Sequence, residues 1–230
     1  MKKLILFVLV FGMTPVAVGE VSTKVCLADG NTPLELADAN IPFKYRDIMV
    51  GTKLTIIVSS DTAEYWSGSL AITGEDMNYG VLSCRDFNDA TDECEGSRFP
   101  EAGTGARVHP WEEPGVYGFD LYGHSSAVPG DWFIIDYNAT SVGDCNVGFY
   151  DHSVSWEEPI YYLEFSHVRT RDFNGDTKVD FTDFAVLASY WGDTVCSDPN
   201  WCEGADLDTD GSVDSNDLAL FAEYWLEKTE

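Results

Sequence analysis

Two stretches near the end of the chain place apolar residues at the spacing of one helical face. Positions i, i+3, i+4 and i+7 are apolar in each stretch, which predicts two short amphipathic helices. The two sets are Phe184, Leu187, Ala188 and Trp191 in the first stretch, and Leu218, Phe221, Ala222 and Trp225 in the second. Because helices this short are marginal alone, we expect the two apolar stripes to pack against each other.

Residues 20–168 have a different pattern, with short β-rich runs separated by Gly, Pro, Asn and Asp. Leu54, Ile56 and Val58 occupy alternate positions of one run, as in a strand with one buried face. Eight strands are predicted, at residues 24–28, 53–59, 67–73, 80–84, 116–122, 132–137, 146–150 and 160–167. The sequence therefore predicts a mainly β fold, with an N-terminal β-sandwich and a small α-helical module after it.

An internal repeat covers both helical stretches. Residues 172–191 align with residues 206–225 at a constant offset and without a gap. Asp172 aligns with Asp206 at the beginning of the repeat, and Trp191 aligns with Trp225 at its end. Each copy therefore joins a loop rich in oxygen-bearing side chains to one predicted helix.

The loop positions fit the ligand pattern of a calcium site. Ca²⁺ takes about six to eight oxygen ligands, from positions 1, 3, 5, 7, 9 and 12 of a loop of about 12 residues. The candidate ligands are Asp172, Asn174, Asp176, Lys178, Asp180 and Asp183 in loop one, and Asp206, Asp208, Asp210, Ser212, Asp214 and Asp217 in loop two. Lys178 and Ser212 would contribute backbone carbonyls. We therefore expect two Ca²⁺ ions.

Two positions depart from the usual loop. Position 6, where a sharp turn favours glycine, is Gly211 in loop two but Thr177 in loop one, which predicts strain there. Position 12 is aspartate in both loops, one methylene shorter than the usual glutamate. A solvated acidic loop without metal is the alternative interpretation, and two loops in register argue against it.

The duplicated loop-and-helix pattern resembles the type I dockerin domain over about residues 169–230. This resemblance implies a calcium-dependent module that binds a cohesin domain and attaches a secreted protein to an extracellular, often polysaccharide-degrading, complex. In that family, loop positions 10 and 11, frequently Ser-Thr, contact cohesin together with the following helix. Here these positions hold Phe181 and Thr182 in loop one, and Ser215 and Asn216 in loop two.

The N-terminal region carries a second resemblance. The segments VGTKLTIIVSSD and GDCNVGFYD are similar to parts of cohesin and carbohydrate-binding-module sandwiches. This resemblance implies a jelly-roll or cohesin-like topology that binds protein or polysaccharide. The partner of the dockerin-like module is therefore expected to be a cohesin-like domain of another protein or the chain's own β-sandwich.

The first residues predict export. Two lysines, an apolar run at residues 4–11 and small residues before Glu20 form a signal peptide at residues 1–19. A membrane anchor is disfavoured because Thr14 and Pro15 interrupt a stretch already short for a span of ~20 residues. We expect a secreted chain with a β-sandwich at 20–168 and a dockerin-like unit at 169–230.

The net charge of the chain argues against two classes of partner. The chain has 40 acidic and 13 basic residues and a net charge of −27, which disfavours nucleic acid and anionic membrane surfaces. Acidic residues of the C-terminal region are regularly spaced among apolar ones, which favours cation binding over a disordered acidic tail.

The chain has six cysteines, an even number that fits export to an oxidising compartment. Their spacing lacks the paired C-x-x-C of a zinc site. The simplest of the possible pairings joins Cys84 to Cys94, Cys196 to Cys202 and Cys26 to Cys145.

Catalysis has little support in the sequence, which lacks G-x-S-x-G and H-E-x-x-H motifs. Trp66 and Trp111 lie beside turn-like sequence and are candidates for a sugar-stacking platform, whereas Trp132 is expected in the core. Two function classes stay open: a non-catalytic assembly or adhesion protein, and a small polysaccharide hydrolase with a docking tail. A hydrolase requires two facing carboxylates, which the sequence cannot place.

Overall fold

The computed structural model describes residues 21–34, 36–37, 43–197 and 200–226. The expected signal peptide, residues 1–19, lies outside the described residues. The described part is mainly β with a small helical region at its C-terminal end, which confirms the predicted fold class. None of its helices has the length and apolar character needed to cross a membrane.

The described residues form twelve strands and two α-helices. The strands are β1 Val21–Leu27, β2 Lys44–Met49, β3 Lys53–Ser60, β4 Trp66–Thr73, β5 Gly80–Ser83, β6 Phe87–Asn88, β7 Glu93–Cys94, β8 Arg107–Glu113, β9 Val116–Gly123, β10 Gly130–Ala139, β11 Gly143–Asp151 and β12 Tyr161–Val168. The helices are α1 Phe181–Ser189 and α2 Ser215–Ala222. All eight predicted strands are present, whereas β2, β6, β7 and β8 were not predicted.

Ten of these strands form two sheets. The four-stranded sheet has the order β1-β3-β10-β5, and the six-stranded sheet has the order β2-β12-β11-β4-β9-β8. Neighbouring strands are antiparallel except β2 and β12, which pair in parallel. β8 is an edge strand, where Pro110 is tolerated because its missing N–H is not needed by a further strand.

The two sheets bury a shared apolar core, so the N-terminal region is a β-sandwich. Val58 of the four-stranded sheet and Phe119 of the six-stranded sheet belong to the same buried cluster. Trp132 is also fully buried, and its Nε1 donates to the Val128 carbonyl at 2.7 Å, which confirms its expected place in the core. The other face of β3 is covered as well, since Ile57 is buried in a small separate cluster.

Two of the three expected disulfides are present. Cys84 is bonded to Cys94, and Cys196 is bonded to Cys202. The expected bond between Cys26 and Cys145 is wrong, because both residues are buried free thiols.

The sandwich layers explain why this third pair cannot form. Cys145 belongs to the core between the sheets, whereas Cys26 packs with Ile57 and Ile134 on the outer face of the four-stranded sheet. Period-two alternation in β1 directs Val25 inward and Cys26 outward, so the sheet itself separates the two sulfur atoms.

The C-terminal helices share a small core of their own. Val179 and Val213, at position 8 of the two loops, are fully buried together with Leu187 and Phe221. The expectation of two fully packed apolar stripes is only partly met. Trp191 is 50% exposed because α1 ends at Ser189, before that residue.

The C-terminal unit also contacts the sandwich of its own chain. Met49, at the end of β2, is 4% exposed within the C-terminal core. Tyr224 donates from its hydroxyl to the Asp47 carbonyl at 3.2 Å. The Arg171 guanidinium is buried over the Tyr224 ring at 4.4 Å from its centre. The two units therefore touch through the C-terminal half of β2.

Candidate calcium-binding loops and docking surface

Each predicted calcium loop ends at a helix cap. Asp180 caps α1, and its side chain accepts a hydrogen bond from a backbone N–H at 2.8 Å. Asp183, at position 12, accepts in return from the Asp180 N–H at 2.9 Å. Asp214 and Asp217 repeat this capping box at α2. Positions 9 and 12 of both loops are therefore fixed by the start of the helix.

The position-12 carboxylates also bind the beginning of each loop. Asp183 Oδ1 accepts from the Phe173 N–H at 2.8 Å. Asp217 Oδ1 accepts from the Leu207 N–H at 2.6 Å and from the Asp208 N–H at 3.3 Å. Both carboxylates are almost fully buried, at 0% and 1% exposure. One side chain thus joins the first and last turns of each loop.

Loop two gathers three carboxylates at one point. Asp206, Asp208 and Asp210 each offer an oxygen atom, and these atoms lie within 4.8 Å of one another. Asp206 is fully buried, and its Oδ2 accepts from the Gly211 N–H at 3.0 Å. Its Oδ1 is buried and has no hydrogen-bond partner among the described residues. A cation fits this arrangement, because it supplies the partner that an uncompensated buried carboxylate oxygen requires.

The electrostatics of loop two agree with this interpretation. The pKa of Asp208 is raised from its ordinary value, first by desolvation and then by the negative charges of Asp217, Asp210 and Asp206. Without a cation these carboxylates repel one another, which favours the protonated form.

Loop one is arranged differently around its first residue. Asp172 Oδ1 accepts from the Gly175 N–H at 2.8 Å and from the Asp176 N–H at 3.1 Å. The side-chain amide of Asn174 donates to Asp176 Oδ2 at 3.1 Å. Asparagine at position 3 replaces one of the three carboxylates that meet in loop two, so loop one carries less negative charge at the corresponding place.

Both loops require left-handed backbone at positions 4 and 6. Loop one has Gly175 and Thr177, each at φ 71°. Loop two has Thr209 at φ 60° and Gly211 at φ 97°. Threonine disfavours this conformation because its branched Cβ crowds the backbone. Each loop therefore contains one strained threonine, whereas the sequence drew attention only to Thr177.

Position 7 is held next to position 5 in both loops. The Lys178 N–H donates to Asp176 Oδ1 at 3.1 Å, and the Ser212 N–H donates to Asp210 Oδ1 at 2.9 Å. Participation of the Lys178 and Ser212 carbonyls in metal binding stays a prediction.

An apolar surface lies beside the start of α1. Phe181, at position 10 of loop one, is 76% exposed, and its ring meets Trp225 edge-on at 4.8 Å. Phe184 and Leu226 are exposed on the same helical unit. The equivalent of Phe181 in loop two is Ser215, so the two copies present unequal surfaces. Sequence analysis placed Phe181 at position 10 but did not predict its contact with Trp225, which joins the two repeats.

The sugar-platform candidates of the sandwich lie in different places. Trp66 is 5% exposed and stacks on Phe149 in the core, so this candidate cannot serve as a sugar-stacking platform. Trp66 lies on the same face of β4 as Leu70 and Ile72, which also belong to the core, so the alternation of the strand directs its indole inward. Trp111, on β8, is half-buried and meets Tyr150 edge-on at 6.0 Å between ring centres.

Residues 170–227 match the family model of the dockerin type I domain. This match confirms the predicted dockerin-like unit and covers about a quarter of the chain. Dockerin domains generally bind calcium and typically bind cohesin domains, and proteins that contain them are typically extracellular. The C-terminal unit is thus a protein–protein docking module. No curated protein matches the chain.

Proposed function

We propose that this protein is a secreted, non-catalytic assembly or adhesion protein. Its C-terminal module binds two Ca²⁺ ions and attaches the chain to a cohesin-like domain, while its β-sandwich binds protein or carbohydrate. The observation that carries the proposal is the buried, unpartnered Oδ1 of Asp206 beside Asp208 and Asp210, within a segment that matches the dockerin type I domain.

Each ion is held by the side chains and the position-7 carbonyl of one loop. Asp206 and Asp172 supply the first ligands, and Asp217 and Asp183 supply the last. The bound cation neutralises carboxylates that otherwise repel one another, so it stabilises the folded loops relative to the unfolded chain. Helices of nine and eight residues depend on that stabilisation to present a fixed surface.

The docking face consists of Phe181, Phe184, Trp225 and Leu226. Phe181 lies at position 10 of loop one, one of the positions that contact cohesin in type I dockerin domains. Phe181, Phe184 and Leu226 are exposed, and Phe181 contacts the partly buried Trp225. Large exposed apolar side chains favour burial against a partner protein. Because Phe181 replaces a polar residue of the usual pattern, we expect a partner with an apolar recess rather than one suited to Ser-Thr.

The test is binding of the full chain to a panel of immobilised type I cohesin domains, in Ca²⁺ and in EGTA. We expect at least one cohesin to bind in Ca²⁺ and to be released by EGTA. Phe181→Ser should weaken that binding at least tenfold. Phe87→Ser is the matched control, because Phe87 is an exposed phenylalanine of the sandwich, 48% accessible. Calcium-independent binding, or equal loss in both variants, contradicts the proposal.

The alternative, a polysaccharide hydrolase, needs one carboxylic acid with a raised pKa opposite a second carboxylate. Asp61 and Asp131 line one cleft of the sandwich. Asp131, however, binds Lys24 at 2.9 Å and Ser59 at 2.7 Å. Although burial acts in the opposite direction, these bonds lower the pKa of Asp131 below its ordinary value. This pair therefore favours a structural role over acid catalysis.

The division of the chain supports the same proposal. β12 ends at Val168, and we place the boundary between sandwich and docking module there. The intramolecular hydrogen bond from Tyr224 to the Asp47 carbonyl does not involve position 10 of loop one. Phe181 stays 76% exposed in that arrangement, so an external partner remains able to reach it.

A further inference from the structure

A cleft lies on the outer face of the six-stranded sheet, where β8, β9 and β4 are adjacent. Val108 of β8 and Leu121 of β9 point into the core and are fully buried. Arg107 and Tyr122, which pair directly across these strands, therefore point away from the core. His109 lies two residues after Arg107 and shares this outer face.

Loops at the same end of the sheet complete the cleft. Tyr65, just before β4, is 62% exposed. His124 follows β9, and its ring packs on Gly105 at a point where any Cβ would clash with the imidazole. The cleft is open to solvent and has a volume of about 460 Å³, within the usual range for small-ligand sites. Its lining residues are Tyr65, Gly105, Arg107, His109, Tyr122 and His124.

His109 is oriented by its neighbours. Its Nδ1 lies 2.7 Å from the Asp92 carbonyl. Because a carbonyl can only accept, Nδ1 carries a proton, and in the neutral imidazole Nε2 is then an acceptor. The imidazole also meets the Tyr122 ring edge-on, at 6.2 Å between ring centres. The site therefore contains a fixed aromatic pair with a hydrogen-bonding atom, an arrangement suited to a ligand with hydroxyl groups.

Arg107 gives the cleft its charge. Its Nε lies 3.7 Å from Glu93 Oε1, while Arg98 binds the other oxygen of the same carboxylate at 3.3 Å. One carboxylate is thus shared by two guanidinium groups, which leaves Arg107 only partly neutralised. Among the described residues no carboxylate lines this cleft, whereas Asp136 and Asp131 line two other clefts. Asp120 pairs with His109 on the same outer face, and its carboxylate accepts from the Ser69 hydroxyl at 2.6 Å.

We propose that this cleft binds an acidic saccharide, a hexuronate unit of a glycan. Tyr65 and Tyr122 offer aromatic faces to the C–H side of the pyranose ring, and the imidazoles of His109 and His124 bond its hydroxyls. Arg107 binds the carboxylate through its planar pair of N–H donors. This inference rests on the proposed function, in which the sandwich is the ligand-binding part of an attachment protein, and it names the ligand class.

The test is calorimetric titration of the full chain with a galacturonic acid trisaccharide. Two further probes are the neutral galactose trisaccharide and a short N-acetylated acidic peptide. We expect the uronate to bind one per chain, at least tenfold more tightly than either other probe. Arg107→Gln and Tyr65→Ala should each weaken binding at least tenfold, and Arg107→Lys should restore part of the loss. Arg46→Gln is the control, because Arg46 is an exposed arginine on β2.

Absence of uronate binding, equal binding of the neutral sugar or the peptide, or an equal effect of Arg46→Gln would overturn the inference. Unfolding of the variants is excluded if their thermal transitions match that of the wild type. The cleft is distant in sequence from the calcium loops, so uronate binding should persist in EGTA, whereas cohesin binding should not. If uronate binding fails while calcium-dependent cohesin binding is retained, this inference fails and the docking proposal stands. The reverse result has the opposite meaning.

Discussion

Asp206→Asn is the sharpest perturbation of the calcium loops. Asparagine keeps the shape of the side chain and an oxygen that can accept from the Gly211 N–H, now 3.0 Å from Asp206 Oδ2. It removes one negative charge next to Asp208 and Asp210. It also replaces the buried, unpartnered Oδ1 with an amide that can donate to a neighbouring carboxylate.

The substitution should therefore have opposite effects with and without calcium. In EGTA, a repulsive and unsatisfied oxygen is removed, so the free energy of unfolding should stay equal or rise by about 1 kcal/mol. In Ca²⁺ at about 100 times the dissociation constant, the wild type gains about 2.7 kcal/mol from the ion. A variant that binds about a hundredfold more weakly gains only about 0.4 kcal/mol from the same concentration.

The measurement is urea unfolding of the full chain, followed by circular dichroism at the helical band. Helix signal reports on the C-terminal module because α1 and α2 are the α-helices of the described residues. Asp193→Asn is the control, since Asp193 is exposed and lies outside both loops. The control should respond to calcium as the wild type does. Loop one still binds its ion in the variant, so part of the calcium response should remain.

Two results would refute this reasoning. If Asp206→Asn loses the same stability in EGTA as in Ca²⁺, the side chain has a structural role only. If the variant keeps the full calcium response, Asp206 is not a ligand, and the buried Oδ1 needs another explanation.

Three further predictions follow from single residues. Thr177→Gly should raise the free energy of unfolding by about 0.5–1 kcal/mol, because the left-handed strain that it relieves exceeds the extra conformational entropy that glycine loses on folding. Thr209→Gly should have the same effect, since Thr209 is also left-handed. If urea unfolding shows that both variants are destabilised, the strain argument is contradicted. Burial lowers the pKa of His167, so as the pH falls the unfolded state binds a proton before the folded state does. The free energy of unfolding should therefore decrease below about pH 6.5, by up to about 1.4 kcal/mol per pH unit. His167→Gln should flatten urea-unfolding stability between about pH 7.5 and about pH 5.5, and an unchanged slope counts against the assignment. Burial raises the pKa of the Cys26 thiol, and it raises the pKa of the Cys145 thiol to about 11. Iodoacetamide should therefore label neither cysteine in the native protein and should label both after unfolding without reductant. If neither cysteine is labelled after unfolding, the two are joined by a disulfide.

The duplicated dockerin-like unit could be predicted from the sequence because its pattern is local. All candidate ligands of one ion lie within twelve consecutive positions, and the repeat at residues 206–217 confirms the register of the loop at residues 172–183. The sequence could not show that Asp180 and Asp214 also cap helices, or that Thr209 shares the strain of Thr177. Those facts depend on backbone angles, which follow from the closed loop rather than from residue type.

Much of the β-sandwich, in contrast, could not be predicted from the sequence. Alternation in β3 correctly placed Leu54, Ile56 and Val58 on the core side, because period-two spacing is a property of one strand. It gave no information on neighbours in the sheet, so the parallel pairing of β2 with β12 was not predicted. It also could not show that Cys26 and Cys145 lie in different layers.

By itself the sequence determined that the chain has a β-rich part and a duplicated loop-and-helix part, since both patterns repeat within short windows. Only the tertiary structure brought Tyr65 to Arg107 and Tyr122, and placed Phe181 against Trp225. Sheet order and the packing of one repeat on the other decide such contacts. Both depend on how separate segments fill a common core, which no single segment encodes.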